Sequence, residues 1–297
     1  MTNTISPDFF IIGAQKAGTT WLWHMLDQHP DTSLPETKEL HYFGSVELYR
    51  KGPDWYQKFF ADVDQDKITG EASTTYFYDR IPYWHNKSSQ IEFDDSLPPI
   101  PQLVTKTYPE AKYIVILRDP VRRAISAYSH WMKRGDIASP MLGLKRFAKQ
   151  FPKTRLLEYG YYANYLKVWQ QFVKPEQFKI IIFEDDVKRN LDQAIPDLYR
   201  FLGLDPSFIP KQAEKAVHKS WGHTRILFSY YASKLYKNAG NTRIASMLDK
   251  HDFLSRYQIK KSDIEFLRSI YLPQRDELAA ISGRDLSSWD YGEKLLK

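Results

Sequence analysis

Three short, almost uninterrupted apolar runs, each joined to a helical segment, constrain this chain more than any other feature. The run "FFIIG" lies between Pro7 and Gly13. After it Leu22, Met25 and Leu26 recur at helical spacing until His29-Pro30 stops the pattern, so the segment reads strand, loop, helix. The order repeats in "AKYIVILRDPVRRAISAYSHWM". There Lys112 to Leu117 reads as a fully buried strand, Asp119 as an N-cap and Pro120 as the first helical residue. Val121, Ile125, Tyr128 and Met132 form the apolar stripe of the helix that follows. A third strand is expected at "FKIIIFEDD", between helices through "YYANYLKVWQQF" and "LDQAIPDLYRFLGL". Strands alternating with helices in this way imply an α/β fold, with a mostly parallel central sheet flanked by helices on both faces.

A chain of 297 residues accommodates one large α/β domain or two small ones. No composition break marks a linker and no repeat is visible, so a single domain over 1–297 is expected. The least periodic stretch, Ile81 to Pro101, reads as a surface loop. The absence of cysteine excludes disulfides, zinc-thiolate sites and a thiol nucleophile. None of the eight histidines falls in an H-E-x-x-H pattern, and His24/His29 and His218/His223 miss helical ligand spacing, so no metal site is expected. "MTNTISPD" lacks a basic region leading into an apolar run, and runs such as "YIVIL" are too short to span a bilayer. The expectation is a soluble, cytoplasmic protein without integral membrane association. A net charge of +6 favours anionic partners. Its basic residues are scattered, as in "RDPVRR" and "KNAGNTR", which reads as a solvated surface.

The loop after the first strand, "GAQKAGTT", has the glycine separation of a phosphate-binding loop but not its lysine. In the pattern G-x-x-x-x-G-K-[ST] lysine follows the second glycine. Here Thr19 holds that position, Thr20 follows, and the lysine is Lys16, inside the loop. Backbone N–H groups from Gly13 to Thr20, with the following helix N-terminus, make an anion nest, and the two threonines add hydroxyl donors. Lys16 is placed to reach over the bound anion toward the atom beyond it and to neutralise a leaving group. The second anion-binding candidate is Arg118, at the carboxyl end of the second strand, with Ser126 on the helix after it. Ligands of open α/β sheets collect beyond the carboxyl ends of the strands, so Arg118 and the first loop are expected to face one crevice.

Together, "IIGAQKAGTT" and "ILRDPVRRAISAYSHW" resemble the sulfotransferase family that uses 3′-phosphoadenosine 5′-phosphosulfate (PAPS). The resemblance continues through "KELHYF", "GEASTTYFYD", "GYYANYLKVWQQF" and "GRDLSSW", and is strongest to the branch of heparan sulfate sulfotransferases and their bacterial relatives. It implies a P-loop-like sulfotransferase domain releasing adenosine 3′,5′-bisphosphate, with no metal requirement. The loop Gln15, Lys16, Ala17, Gly18, Thr19 and Thr20 would hold the 5′-phosphosulfate, and Arg118 and Ser126 the 3′-phosphate. Glu39 would be the general base, with His41 and Lys38 beside it. Lys219 and Gly222, in "HKSWGH", would close over the nucleotide. One element departs from the family: Gly70-Glu71-Ala72 stands where many glycan-acting members carry lysine after the glutamate. The acceptor is left open among glycan, lipid and small-metabolite groups, O- or N-linked, as is the oligomeric state. Two rivals remain. A nucleotide kinase would use Asp119 for magnesium but would need lysine at position 19. A non-catalytic binder of nucleic acid or anionic glycan would leave the paired phosphate motifs unexplained, so no nucleic-acid partner is expected.

Overall fold

The computed structural model describes residues 5–84, 91–134, 142–211 and 259–296, with a few single positions between the last two ranges. In chain order its helices are α1 (Thr19–Asp27), α2 (Val46–Tyr49), α3 (Pro53–Gln57), α4 (Ile100–Thr107), α5 (Pro120–Arg134), α6 (Leu144–Gln150), α7 (Tyr162–Trp169), α8 (Leu191–Leu202), α9 (Lys261–Tyr271) and α10 (Arg275–Ser282). The chain falls into two compact units. The first joins Met1–Asp119, Tyr161–Lys215 and Gln274–Trp289; the second joins Pro120–Gly160, Ala216–Pro273 and Asp290–Lys297.

The first unit holds a four-stranded parallel sheet. Its strands are β1 (Phe9–Gly13), β2 (Gly70–Ala72), β3 (Lys112–Leu117) and β4 (Phe178–Ile182), in the order β2-β1-β3-β4. The two inner strands are the most continuously apolar. Every residue of β1 and all but the first of β3 are buried, as a strand covered on both faces requires. The sheet is thus the α/β arrangement the alternating pattern implies. β2 is the strand the pattern misses. "GEA" has no apolar run, yet all three residues are buried and Phe10 pairs with Glu71.

The helices beside the sheet follow the expected segments. α1 buries Trp21, Leu22, Met25 and Leu26. α7 carries Trp169, whose indole N–H donates to the Phe77 carbonyl at 3.0 Å, and α8 buries Ile195, Leu198, Tyr199 and Leu202. α10 meets α7 through Lys167 with Glu277 and through Gln170, which donates to the Ile281 carbonyl at 2.9 Å. The stretch Ile81 to Pro101 has more structure than its sequence suggests. Pro82 and Phe93 form an antiparallel bridge, the Tyr83 N–H donates to Glu92 O at 2.9 Å, and α4 starts at Ile100. Residues 85–90 lie outside the described residues.

In the second unit α5 starts at Pro120, as expected, and Val121, Tyr128 and Met132 of its stripe are buried, while Ile125 is half-buried. Arg123 is buried beside them and donates to the Leu156 carbonyl. Arg122 makes a forked pair with Asp290, at 2.8 and 3.1 Å. The phenol of Tyr271, on α9, donates to Leu157 O at 2.8 Å. No helix among the described residues is long and apolar enough to cross a membrane.

Candidate active site

The loop between β1 and α1 is built for close approach. Gly18 sits at the N-cap of α1 with φ 115°. A Cβ there would lie 3.0 Å from the Phe183 ring, so only glycine lets the loop turn at this point. No side chain caps α1, which leaves its first N–H groups, orphans in any helix, to whatever binds there. Thr19 is buried; Gln15, Lys16 and Thr20 are half-buried. Burial pulls the Lys16 ammonium below the usual lysine range. The Glu39 carboxylate opposes this, and Arg118 and Lys38 add to it.

Beside the loop, "KELHYF" alternates between inside and outside. Leu40, Tyr42 and Phe43 are buried, while Lys38, Glu39 and His41 are half-buried. Glu39 and His41 hold φ of 62° and 55°, and Lys16 holds 64°. Five described non-glycine residues have positive φ, and three of them are the residues expected to be catalytic, which is where backbone strain collects in enzymes.

The segment after β2 answers this turn with three consecutive hydroxyls. Ser73 accepts from the His41 N–H at 2.8 Å, Thr74 donates to Glu39 Oε2 at 2.9 Å, and the Thr75 hydroxyl lies 3.0 Å from His41 Nδ1. The two segments are so close that a Cβ on Gly44 would sit 2.0 Å from the Thr75 hydroxyl. Burial would raise the Glu39 carboxyl, but Lys38, His41 and Thr74 together outweigh it and hold it below the usual carboxylate range. Burial lowers His41, with Glu39 opposing and Lys38 adding, so at neutral pH the ring is neutral. Its Nε2 stands 3.3 Å from Glu39 Oε2, and because a carboxylate only accepts, a neutral ring is best held there with its proton on Nε2. Each ring nitrogen thus faces a polar neighbour.

Arg118 meets the loop as expected. Its Nη1 donates to the Lys16 carbonyl at 3.3 Å, and its guanidinium lies 5.4 Å from the centre of the Phe183 ring, the ring that also faces Gly18. Glu184, two residues beyond β4, stands 3.8 Å from Arg118 Nε and accepts from the Asp119 N–H at 3.2 Å. Burial raises its carboxyl, against the Asp119 N–H and Arg118.

The first unit therefore brings Lys16, Lys38, Glu39, His41 and Arg118 into one neighbourhood. Ser126 is half-buried on α5, in the second unit. Lys219 and Gly222 lie outside the described residues. Sequence reasoning missed the hydroxyls of Ser73, Thr74 and Thr75 and the carboxyl of Glu184. A polar run directly after "GEA" was the only signal for the first three.

Comparison with known proteins places the chain. The model of the sulfotransferase domain matches residues 6–263. The chain belongs to this family. Among sulfotransferases, it is 28% identical over 214 residues to human bifunctional heparan sulfate N-deacetylase/N-sulfotransferase 2, covering 67% of this chain and 22% of that protein. It is 26% identical over 265 residues to human bifunctional heparan sulfate N-deacetylase/N-sulfotransferase 3, covering 84% of this chain and 28% of that protein. The chain thus spans less than a third of the length of these relatives. The crystal structure of a sulfotransferase from Alicyclobacillus acidocaldarius superposes with a TM-score of 0.65 at 25% identity, over 95% of this chain and 98% of that one. The sulfotransferase match takes in both candidate anion-binding motifs and the turn that carries Glu39.

Proposed function

We propose that the chain transfers a sulfuryl group from PAPS to a hydroxyl or amine of a saccharide acceptor. The observation that carries the reading is the convergence of Lys16, the Glu39 turn and Arg118 on one loop: Arg118 bonds the Lys16 carbonyl, and the Glu39 charge acts on the Lys16 ammonium. The residues fit such a donor. An uncapped helix start with Thr19, Thr20 and a loop lysine suits a phosphosulfate, and a guanidinium beside the loop suits a further phosphate. The bound donor supplies an activated sulfuryl group on a phosphate leaving group.

This chain's residues then divide the work of an in-line displacement. A carboxylate offers about four lone-pair positions. On Glu39, Lys38 takes one on Oε1 at 2.8 Å and Thr74 takes one on Oε2 at 2.9 Å, with His41 Nε2 3.3 Å from the same Oε2. The remaining position on Oε1 accepts the acceptor's proton as the new S–O or S–N bond forms. His41 orients the carboxylate. Lys16 neutralises the phosphate oxygen as its bond to sulfur breaks. The decisive experiment compares thermal stabilisation by adenosine 3′,5′-bisphosphate, by ATP with magnesium and by an oligonucleotide, followed by transfer of labelled sulfate. Stabilisation by the bisphosphate with transfer to a sugar supports the reading; stabilisation by ATP alone sinks it.

Two results are expected at the edges of this site. Arg118→Ala raises the KM for donor, at a cost of about 1.5–3 kcal/mol for a lost charge-assisted bond. Against a donor lacking the 3′-phosphate, variant and wild type perform alike; a large remaining difference removes Arg118 from that role. The acceptor side is marked by Trp84, which is 39% exposed with its ring 4.8 Å from that of His41. Such a ring offers an apolar face and a polar edge to a sugar. Trp84→Ala is expected to raise the acceptor KM several-fold with kcat and bisphosphate affinity unchanged, and an unchanged acceptor KM rejects the platform. The carbohydrate reading also draws on the relatives whose names describe heparan sulfate N-sulfotransferases.

A further inference from the structure

Glu71 is a buried carboxyl that the proposed reaction does not use. It lies on β2, is 1% exposed, and has the phenols of Tyr56 and Tyr76 beside it. The Tyr56 phenol donates to its Oε2 at 2.8 Å, and Ser73 donates to its Oε1. Tyr56 stacks on Tyr42 with ring centres 4.8 Å apart, and Phe43 packs against Tyr76 at 5.5 Å, so the residues that follow the Glu39–His41 turn pack against both phenols. Burial pushes the carboxyl up to about 7, against its bonds to Ser73 and Tyr56 and with the Glu39 charge adding to the rise.

At this depth Glu71 cannot meet an acceptor, so it cannot be the base itself. What it does touch leads to the base in two steps. Glu71 accepts from Ser73, and the same Ser73 oxygen accepts from the His41 N–H. That N–H belongs to a residue at φ 55°, one position beyond Leu40 and two beyond Glu39 at φ 62°. A left-handed turn carried by two residues with side chains needs surrounding bonds to hold it. Ser73 is 0% exposed, so no water replaces its hydroxyl there.

We infer that Glu71 is a positioning residue for the transfer reaction: it fixes the Ser73 hydroxyl, which fixes the backbone turn that aims Glu39 and His41. The inference rests on the reading of Glu39 as base, and the test separates the two. Ser73→Ala and Glu71→Ala are expected to lower kcat about 10- to 100-fold, the scale of a catalytic group misplaced by about 1 Å. Affinity for adenosine 3′,5′-bisphosphate stays at the wild-type value in both. Glu71→Gln keeps an acceptor oxygen for Ser73 and offers its amide N–H to the Tyr56 oxygen, so it recovers most of the turnover lost in Glu71→Ala. On a Glu39→Gln background, Ser73→Ala costs no more than about twofold further, because its effect runs through Glu39. If Glu71→Ala does not fold, Ser73→Ala carries the test, since it removes one oxygen and leaves the Tyr56 bond. A folded Ser73→Ala enzyme with wild-type kcat, or one whose full loss persists on the Glu39→Gln background, overturns the inference. Normal turnover in Glu39→Gln instead overturns the assignment of the base.

Discussion

Glu39→Gln lowers kcat by about 10²–10⁴, the range that general-base assistance supplies, while affinity for adenosine 3′,5′-bisphosphate stays near wild type. Glutamine keeps the volume and most of the hydrogen bonding of glutamate but cannot take a proton. The wild-type carboxyl is held below the usual carboxylate range by Lys38, His41 and Thr74, so it stays ionised wherever an ordinary glutamate does. No loss of turnover in the mildly acidic range is therefore assigned to Glu39. The competing base is His41, but its Nε2 faces Glu39 and its Nδ1 faces Thr75. His41→Ala accordingly lowers kcat less than Glu39→Gln. Single-turnover rates with saturating donor give the comparison, and the reverse order, with Glu39→Gln near normal and His41→Ala inactive, makes the histidine the base.

Lys16→Ala lowers kcat by about 10²–10³, the loss typical when one preorganised donor to a developing negative charge is removed. The effect on affinity for the spent nucleotide is smaller, because the lysine's charge matters most while the leaving oxygen gains its own. Burial gives this group a pH signature. Its ammonium loses a proton below the usual lysine value of about 10.4. Turnover that needs the charged form is complete at lower pH and falls as pH rises through the lowered pKa. Lys16→Ala removes that alkaline limb along with most of the rate. A variant that binds donor poorly but turns over bound donor normally makes Lys16 a binding residue alone.

The fold was legible where burial leaves a mark on composition. β1, β3 and β4 carry apolar runs because parallel strands are covered on both faces, and Gly13 and Gly18 mark the loop between β1 and α1. β2 is hidden because a buried strand of three residues can hold a glutamate when two hydroxyls meet it, as Tyr56 and Ser73 do for Glu71. At the site, Lys16 follows from the glycine spacing and Arg118 from its place after a strand. Glu39 came only from resemblance, since a lysine-glutamate pair is as common on a solvated loop. Ser73, Thr74 and Thr75 were illegible for a related reason: a hydroxyl has no spacing rule, and what gives these three a purpose is a turn more than thirty residues earlier in the chain.

The left-handed backbone at Lys16, Glu39 and His41 sets thermal tolerance against turnover. A side chain in that conformation costs roughly 1–2 kcal/mol, and glycine or asparagine is relieved of much of it. Selecting heat-resistant variants of this chain without an activity screen would draw glycine and asparagine toward these three positions. The sturdier proteins so obtained would lack the ammonium, the carboxylate and the imidazole that the strained turns present. An engineering effort should freeze the three positions and seek its gains on the helices beside the sheet.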